Sequence, residues 1–188
     1  MTLRLFAAVE PPAAVLDALD VFVEPRRAAD PNLRWVSRVN WHLTLAFFGD
    51  VPDARLDALQ QALDAVRGTP FTVMLDGAGS FPNPAAAKVL YRAVAAGADE
   101  LSALSRRVRT AADRVAVPSD NATHVPHLTL ARTRRPTDVT RWLRIVDSFP
   151  AQSFPVTGFT LIASDLRPSG PVYRSLQTVA LGARPQSE

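Results

Sequence analysis

The chain has 188 residues, of which 47% are hydrophobic and 21% charged, enough to bury a substantial core as one domain or as two small lobes around a cleft. It contains no cysteine, which excludes disulfides, thiolate metal sites and cysteine nucleophiles, and fits a reducing compartment. The net charge of +3 is carried almost wholly by arginine, with Lys88 the only lysine; it admits a phosphate-bearing ligand without requiring one, and charge alone reads equally well as a solubilising surface.

Met1 to Val9 holds a short apolar run that breaks at Glu10-Pro11-Pro12, too brief for a secretory signal or a bilayer span, and no later apolar segment is longer. The expectation is a cytoplasmic protein with no membrane association. Leu3 to Val9 reads as a strand, and Ala13 to Val23 as a helix with Val15, Leu16, Leu19, Phe22 and Val23 on one face. Leu33 to Val36 forms a short strand, and Trp41 to Phe48 a longer one ended by Gly49-Asp50 and Pro52. Asp53 to Arg67 is a helix, with Asp53 in its first turn and Gly68 at its stop. Phe71 to Asp76 is a strand, Gly77 to Pro84 a glycine- and proline-rich loop, and Lys88 to Val94 a strand. Glu100 to Val115 is a second long helix closed by Pro118. His127 to Ala131 is a strand with a basic exit loop, Arg132 to Pro136. Asp138 to Asp147 is helical, and Val156 to Ala163 and Val172 to Leu181 are strands separated by an Arg167-Pro168-Ser169-Gly170 turn. The tail, 182–188, is expected to be flexible.

One tetrapeptide occurs twice, as His42-Leu43-Thr44-Leu45 and His127-Leu128-Thr129-Leu130. In an extended strand His and Thr share one face and the two Leu the other, so each copy sets an imidazole beside a hydroxyl. The copies lie 85 positions apart, from His42 to His127, and the same shift brings other features into register. Strand Leu3 to Val9 falls on Lys88 to Val94, Leu16 and Leu19 on Leu101 and Leu104, Asp53 on Asp138, and Phe71-Thr72 on Val156-Thr157. Each half then reads strand, helix, motif strand, helix, strand, the pattern of an internal duplication. Two halves related by a pseudo-twofold place the motif strands about a shared groove. The predicted fold is α+β and bilobal: one domain of two intertwined lobes, approximately 1–85 and 86–181, each an antiparallel sheet with helices on its outer face, and an active-site cleft between them.

A single histidine on a strand is ordinarily a satisfied residue at the edge of a core. Two His-x-Thr pairs flanked by core residues need polar partners, and a wet groove supplies them. Zinc is the weaker reading, because neither copy has a further ligand at suitable spacing: Asp50 lies beyond the turn and His124 is on the opposite parity from His127. Acid-base chemistry uses the symmetry directly. In-line displacement at phosphorus needs a proton taken on one side and given on the other, histidine titrates near neutrality, and the threonine hydroxyls can donate to non-bridging oxygens. No metal or cofactor enters this scheme.

His-x-Thr-x repeated once in each half resembles the two-histidine phosphoesterase superfamily, in particular the bacterial LigT-like RNA 2',3'-cyclic phosphodiesterases. The likeness extends over nearly the whole chain, through Arg4 to Val9 before the prolines, Asn40 to Gly49, Phe71 to Gly79, Pro126 to Arg132, and Phe159-Thr160-Leu161 with Gly170 and Tyr173. It implies His42 as proton donor to the leaving 3' oxygen, His127 as the proton acceptor that activates water, Thr44 and Thr129 at the phosphate, and Arg132 at the phosphate or nucleotide. Strict parity puts Arg132 opposite His127, so that contact requires the strand to end or twist there. One departure is His124-Val125-Pro126, where relatives often begin with Phe.

Trp35, Phe48, Phe81 and Tyr173 could stack on a base, although an aromatic beside a strand is more often core. Arg134, Arg135 and Arg167 could follow an RNA backbone, or form solvated surface. The resulting expectation is a metal-independent hydrolase that opens a 2',3'-cyclic phosphate at an RNA or oligonucleotide end to a 2'-phosphomonoester, acting as a monomer with no obligate protein partner. The alternatives are 2'-5' ligation, the reverse reaction, and a non-catalytic nucleotide or RNA-end binding module.

Overall fold

The computed structural model describes residues 1–120, 124–168 and 170–182. The predicted tail beyond Gly182 lies outside the described residues. Nine strands and four α-helices follow in the order β1 (Thr2–Val9), α1 (Ala13–Val23), β2 (Leu33–Trp35), β3 (Leu43–Pro52), α2 (Asp53–Asp64), β4 (Phe71–Phe81), β5 (Ala87–Ala96), α3 (Ala98–Asp113), β6 (His127–Thr137), α4 (Thr140–Asp147), β7 (Gln152–Val156), β8 (Gly158–Arg167) and β9 (Gly170–Ala180). The helices bury one apolar stripe each: Val15, Leu19 and Val23 recur every fourth residue on α1, and Leu101, Leu104, Val108, Ala111 and Ala112 line α3. No helix among the described residues is long and apolar enough to cross a membrane.

Three predicted breaks are carried inside strands. Gly77 does not end β4; it adopts φ 77° in an irregularity between the pairs Leu75↔Val94 and Ala78↔Arg92, so it serves as a bulge and the strand runs on to Phe81. Gly49-Asp50 likewise sits within β3, paired with Leu5 and Arg4. Arg132 to Pro136, expected as an exit loop, continues β6 because β2 pairs with it. Conversely, the expected helix to Arg67 stops at Asp64, and the strand expected from Val156 is divided into β7 and β8.

The strands form one antiparallel sheet in the order β7-β4-β5-β6-β3-β1-β8-β9, with β2 on the side of β6. The order reads alike from either end about the β6/β3 junction. The 85-residue shift carries β1 onto β5, β3 onto β6, β4 onto β8, α1 onto α3 and α2 onto α4. Neither lobe is a contiguous stretch: β4 lies with β5 and β6, while β8 and β9 lie with β1 and β3. The helices cross over too. α2 and α3 pack together over β3, whereas α1 reaches β7 and α4 covers β4 and β5. Phe22 of α1 meets Phe149, just past α4, with ring centroids 4.9 Å apart. One large apolar core runs between the helices and the sheet, and a small cluster of Phe6, Ala8 and Ile162, with Tyr173 against it, lies separately from that core.

β6 and β3 are held to each other by the single pair Leu43↔Leu128 and then part. Each freed edge finds other partners, as buried backbone groups must. On β6 these come from β2, through Leu33↔Thr133, Arg34↔Arg132 and Trp35↔Ala131, and the Val36 N–H donates to the Leu130 carbonyl at 2.8 Å. On β3 they come from α3 and the segment before β6: the Ser105 hydroxyl donates to the Leu45 carbonyl at 2.5 Å, His124 Nε2 to the Thr44 carbonyl at 2.9 Å and the Asp120 N–H to the Phe47 carbonyl at 3.0 Å.

Arg92 fastens α4 to the sheet from within. Its side chain is fully buried and donates to the carbonyls of Val146 (2.9 Å), in the last turn of α4, and Phe149 (2.7 Å), just past its end, while Asp76 Oδ1 lies 3.1 Å away as counter-ion. Replacement by Met removes the charged donor from both carbonyls, and of the two only Val146 keeps another among the described residues, the Phe149 N–H. Arg92→Met is expected to lower the free energy of unfolding by about 3 kcal/mol, read as a drop in the urea midpoint at unchanged m-value.

Candidate active site

The two motif copies flank the point where β3 and β6 part. Leu43, Leu45, Leu128 and Leu130 are buried in the main core, and His42, Thr44, His127 and Thr129 are half-buried on the other face, so the alternation read from sequence holds. The structure gathers both His-Thr pairs on one side of the sheet junction.

Both imidazoles are anchored in the same way. His42 Nδ1 lies 2.8 Å from the Asn40 carbonyl and His127 Nδ1 lies 2.7 Å from the Val125 carbonyl, in each case the residue two positions earlier. A carbonyl only accepts, so each Nδ1 carries a proton, and Nε2 of each neutral ring keeps the lone pair. Aromatic side chains wall each ring. Phe6 and Tyr173 stand 4.8 and 5.6 Å from His42, and Phe81 and Tyr91 stand 5.0 and 5.1 Å from His127, measured between centroids. Phe6 and Tyr91 are equivalent positions of the 85-residue register, a correspondence visible in the sequence but not drawn from it. Tyr91 pairs with Gly79 across the ladder, and a Cβ at residue 79 would come within 2.2 Å of the tyrosine ring; the absent side chain is what lets that ring lie flat over β4.

The parity of Arg132 resolves through a bulge. Tyr91 pairs with Thr129 and Leu90 with Ala131, so Leu130 has no partner of its own; Leu130 and Ala131 both enter the core, and Arg132 comes round to the histidine face. The first copy carries the same irregularity at the equivalent residue. Ala8 pairs with Thr44 and Ala7 with Ala46, leaving Leu45 over, and Phe47, the counterpart of Arg132, is 44% exposed and 5.7 Å from Phe6. A second shift leaves Phe48 unpaired and places it in the core at 7% exposure. Phe48 therefore does not offer its ring to the groove as expected; the strand irregularity gives that place to Phe47. Phe81 and Tyr173 do stand beside the histidines. Trp35 meets Trp142 edge-on at 5.4 Å against the main core.

Electrostatics set the resting state. Burial pushes His42 from 6.5 down to about 4, the Asn40 carbonyl opposes the shift, and the charges of His127 and Arg132 add to it. Burial also lowers His127, again with the Val125 carbonyl opposing and the charges of His124 and Arg132 assisting. Burial raises the Tyr173 phenol, and Arg132 counteracts it. Arg132 thus acts on His42, His127 and Tyr173 together, which places its charge at the centre of the groove. With both groups lowered from 6.5, the two imidazoles are neutral at neutral pH. Among the described residues no group of three His, Cys, Asp or Glu side chains is placed to hold a metal ion.

His124 belongs to the support of the site. Besides its bond to the Thr44 carbonyl, its Nδ1 lies 3.4 Å from Ser102 Oγ on α3, so it ties the approach to the second motif to the strand of the first.

The family model for the 2'-5' RNA ligase superfamily matches residues 11–168, a span that includes both motifs. The RNA 2',3'-cyclic phosphodiesterase of Thermus thermophilus is 33% identical, with the match covering 95% of this chain and 90% of that protein. The RNA 2',3'-cyclic phosphodiesterase of Methanothermobacter thermautotrophicus is 28% identical over 96% of this chain and all of its own length. Among solved structures, Escherichia coli LigT in its apo form superposes with a TM-score of 0.77 at 28% identity, covering 97% of this chain and 99% of that one. The chain belongs to the 2'-5' RNA ligase superfamily of two-histidine phosphoesterases.

Proposed function

We propose that the protein hydrolyses the 2',3'-cyclic phosphate at an RNA or oligonucleotide 3' end to a 2'-phosphomonoester, using paired histidines and no metal. The observation that carries this reading is the identical anchoring of the two imidazoles, each held through Nδ1 by a carbonyl two residues back, which leaves two Nε2 atoms for proton transfer. The names of the relatives point the same way.

In this reading the cyclic phosphate sits between the motifs. Thr44 and Thr129 donate their hydroxyls to its non-bridging oxygens, and Arg132 neutralises the charge that grows there. His127 Nε2 takes a proton from water as the water oxygen bonds to phosphorus, the P–O3' bond breaks in line, and His42 Nε2–H gives its proton to the 3' oxygen. The products are a 2'-phosphate and a free 3'-hydroxyl; His42 ends neutral and His127 protonated. His42 gains its catalytic proton in the complex, where the phosphate anion offsets the burial that otherwise holds it near 4. An acid of low pKa is also a ready donor to an alkoxide. Phe81 and Tyr173 keep water from the rings and border the base. One chain supplies both motifs, so the reading needs no second copy, and a cytoplasmic location is part of the same proposal. Ligation to a 2'-5' bond uses the same groups, with a 5'-hydroxyl in place of water: its oxygen bonds to phosphorus as the P–O3' bond breaks, and the protons pass to His127 and from His42 as before.

Hydrolysis of an oligonucleotide ending in a 2',3'-cyclic phosphate is expected to proceed in EDTA and to fall by roughly 10²–10⁴ in kcat for His42→Ala and for His127→Ala. Turnover that requires added metal, or that survives either substitution, overturns the mechanism. The pH dependence is a second test. Both free-enzyme histidines lie below 6.5, so the bell of kcat/KM should centre on the acid side of that value, while the bound phosphate anion raises both groups and should displace the kcat bell to higher pH. Coincident or monotonic profiles would count against paired imidazoles.

A further inference from the structure

Arg34 and Arg132 are direct partners across the β2–β6 ladder. Residues opposite each other in an antiparallel pair project to the same face, a few ångströms apart. Arg34 stands between Leu33, which is buried, and Trp35, which packs on the core, so its own side chain takes the opposite face; Arg132 reaches that face through the Leu130 bulge. Both side chains are exposed, and neither guanidinium makes an ion pair or a hydrogen bond among the described residues. The acidic residue of the preceding connection does not relieve them: Asp30 accepts from the Asn32 N–H through Oδ1 and from Trp142 Nε1 through Oδ2. Like charges set directly opposite in a ladder are destabilising, and arginines on an ordinary surface are interspersed with carboxylates. Two unrelieved guanidinium groups side by side, one of them at the centre of the catalytic groove, make a site for more than one anionic group.

We propose that Arg34 binds a second phosphate, the phosphodiester on the 5' side of the terminal nucleotide, and so makes the protein selective for cyclic phosphates that end a chain over those of free nucleosides. This rests on the function proposed above and extends it. The 2',3'-cyclic phosphate is by chemistry the 3' end of its strand, so the next phosphate lies one nucleotide towards the 5' side. With Arg132 at the reacting phosphate, the adjacent strand position on β2 is one step outward from the histidines. Arg34 then has a defined partner, and the charge pair across the ladder is relieved when an oligonucleotide binds. A free nucleoside cyclic phosphate has nothing to offer it.

The test compares kcat/KM for a dinucleotide ending in a 2',3'-cyclic phosphate with kcat/KM for a nucleoside 2',3'-cyclic monophosphate. In Arg34→Gln the ratio of the two should fall roughly tenfold, through KM for the dinucleotide, and Arg34→Lys, which keeps the charge, should recover most of it. Arg132→Gln should lower both substrates together. An unchanged ratio in Arg34→Gln, or a fall carried by kcat alone, overturns the proposal. Failure of the wild-type protein to turn over either compound would instead overturn the proposed function. Calorimetric binding of a dinucleotide with a terminal 2'-phosphate and of a nucleoside 2'-phosphate separates the two cases: Arg34→Gln should weaken the first ligand selectively, and an equal effect on both overturns the second-phosphate site whether or not turnover is seen.

Discussion

The structure depends on two strands that meet once and part. Had β3 and β6 continued their ladder beyond Leu43↔Leu128, the sheet would close over the junction and each histidine would sit on an ordinary surface. Their divergence creates two free strand edges, and free edges need hydrogen-bond partners. Each edge is met by the segment leading into the opposite motif: β2 precedes β3 and pairs with β6, while Asp120 and His124 precede β6 and bond to β3. The crossover that satisfies the backbone also fastens the lobes together. It explains why neither lobe is a contiguous piece of chain and why a helix from each half lies in each outer layer.

The bulge at the second leucine of each motif is the finer device built on this seam. Unbroken alternation would send Arg132 to the core face and leave the groove without its charge. One extra residue, placed identically at Leu45 and Leu130, turns the following side chains round, and the two copies then differ in what they present: Phe47 in one and Arg132 in the other. The duplicated frame is symmetric and aromatic rings wall both histidines, while the side chain after the bulge is a guanidinium in one copy and a phenyl ring in the other. That asymmetry is the structural ground on which two chemically alike histidines can take different parts.

Desolvation governs the histidines themselves. Aromatic walls and the charge of Arg132 disfavour protonation of both rings, and the carbonyls behind them oppose that effect only in part. The balance is poised to change when an anion enters. In the proposed function, a phosphate among Arg132, the two hydroxyls and the two rings reverses the local electrostatics and brings about the protonation state that its own cleavage needs.

Much of this was legible in the sequence because it is local or periodic. The order of elements, the α+β class, the leucine-in and histidine-out alternation and the 85-residue register need only the 3.6- and 2-residue periods and one repeated tetrapeptide. The same register, pressed further, would have marked Tyr91 as the partner of Phe6. What only the tertiary structure decided are the features that a strand acquires from its neighbour. Gly77 and Arg132 to Pro136 look like breaks until a partner strand carries the chain past them. A bulge is a relation between two paired strands and leaves no periodic trace in either sequence alone, which is why alternation points Phe48 to the groove when Phe47 takes that place, and why it puts Arg132 on the opposite parity. The motif names the candidate groups; the pairing of distant strands determines which way they face.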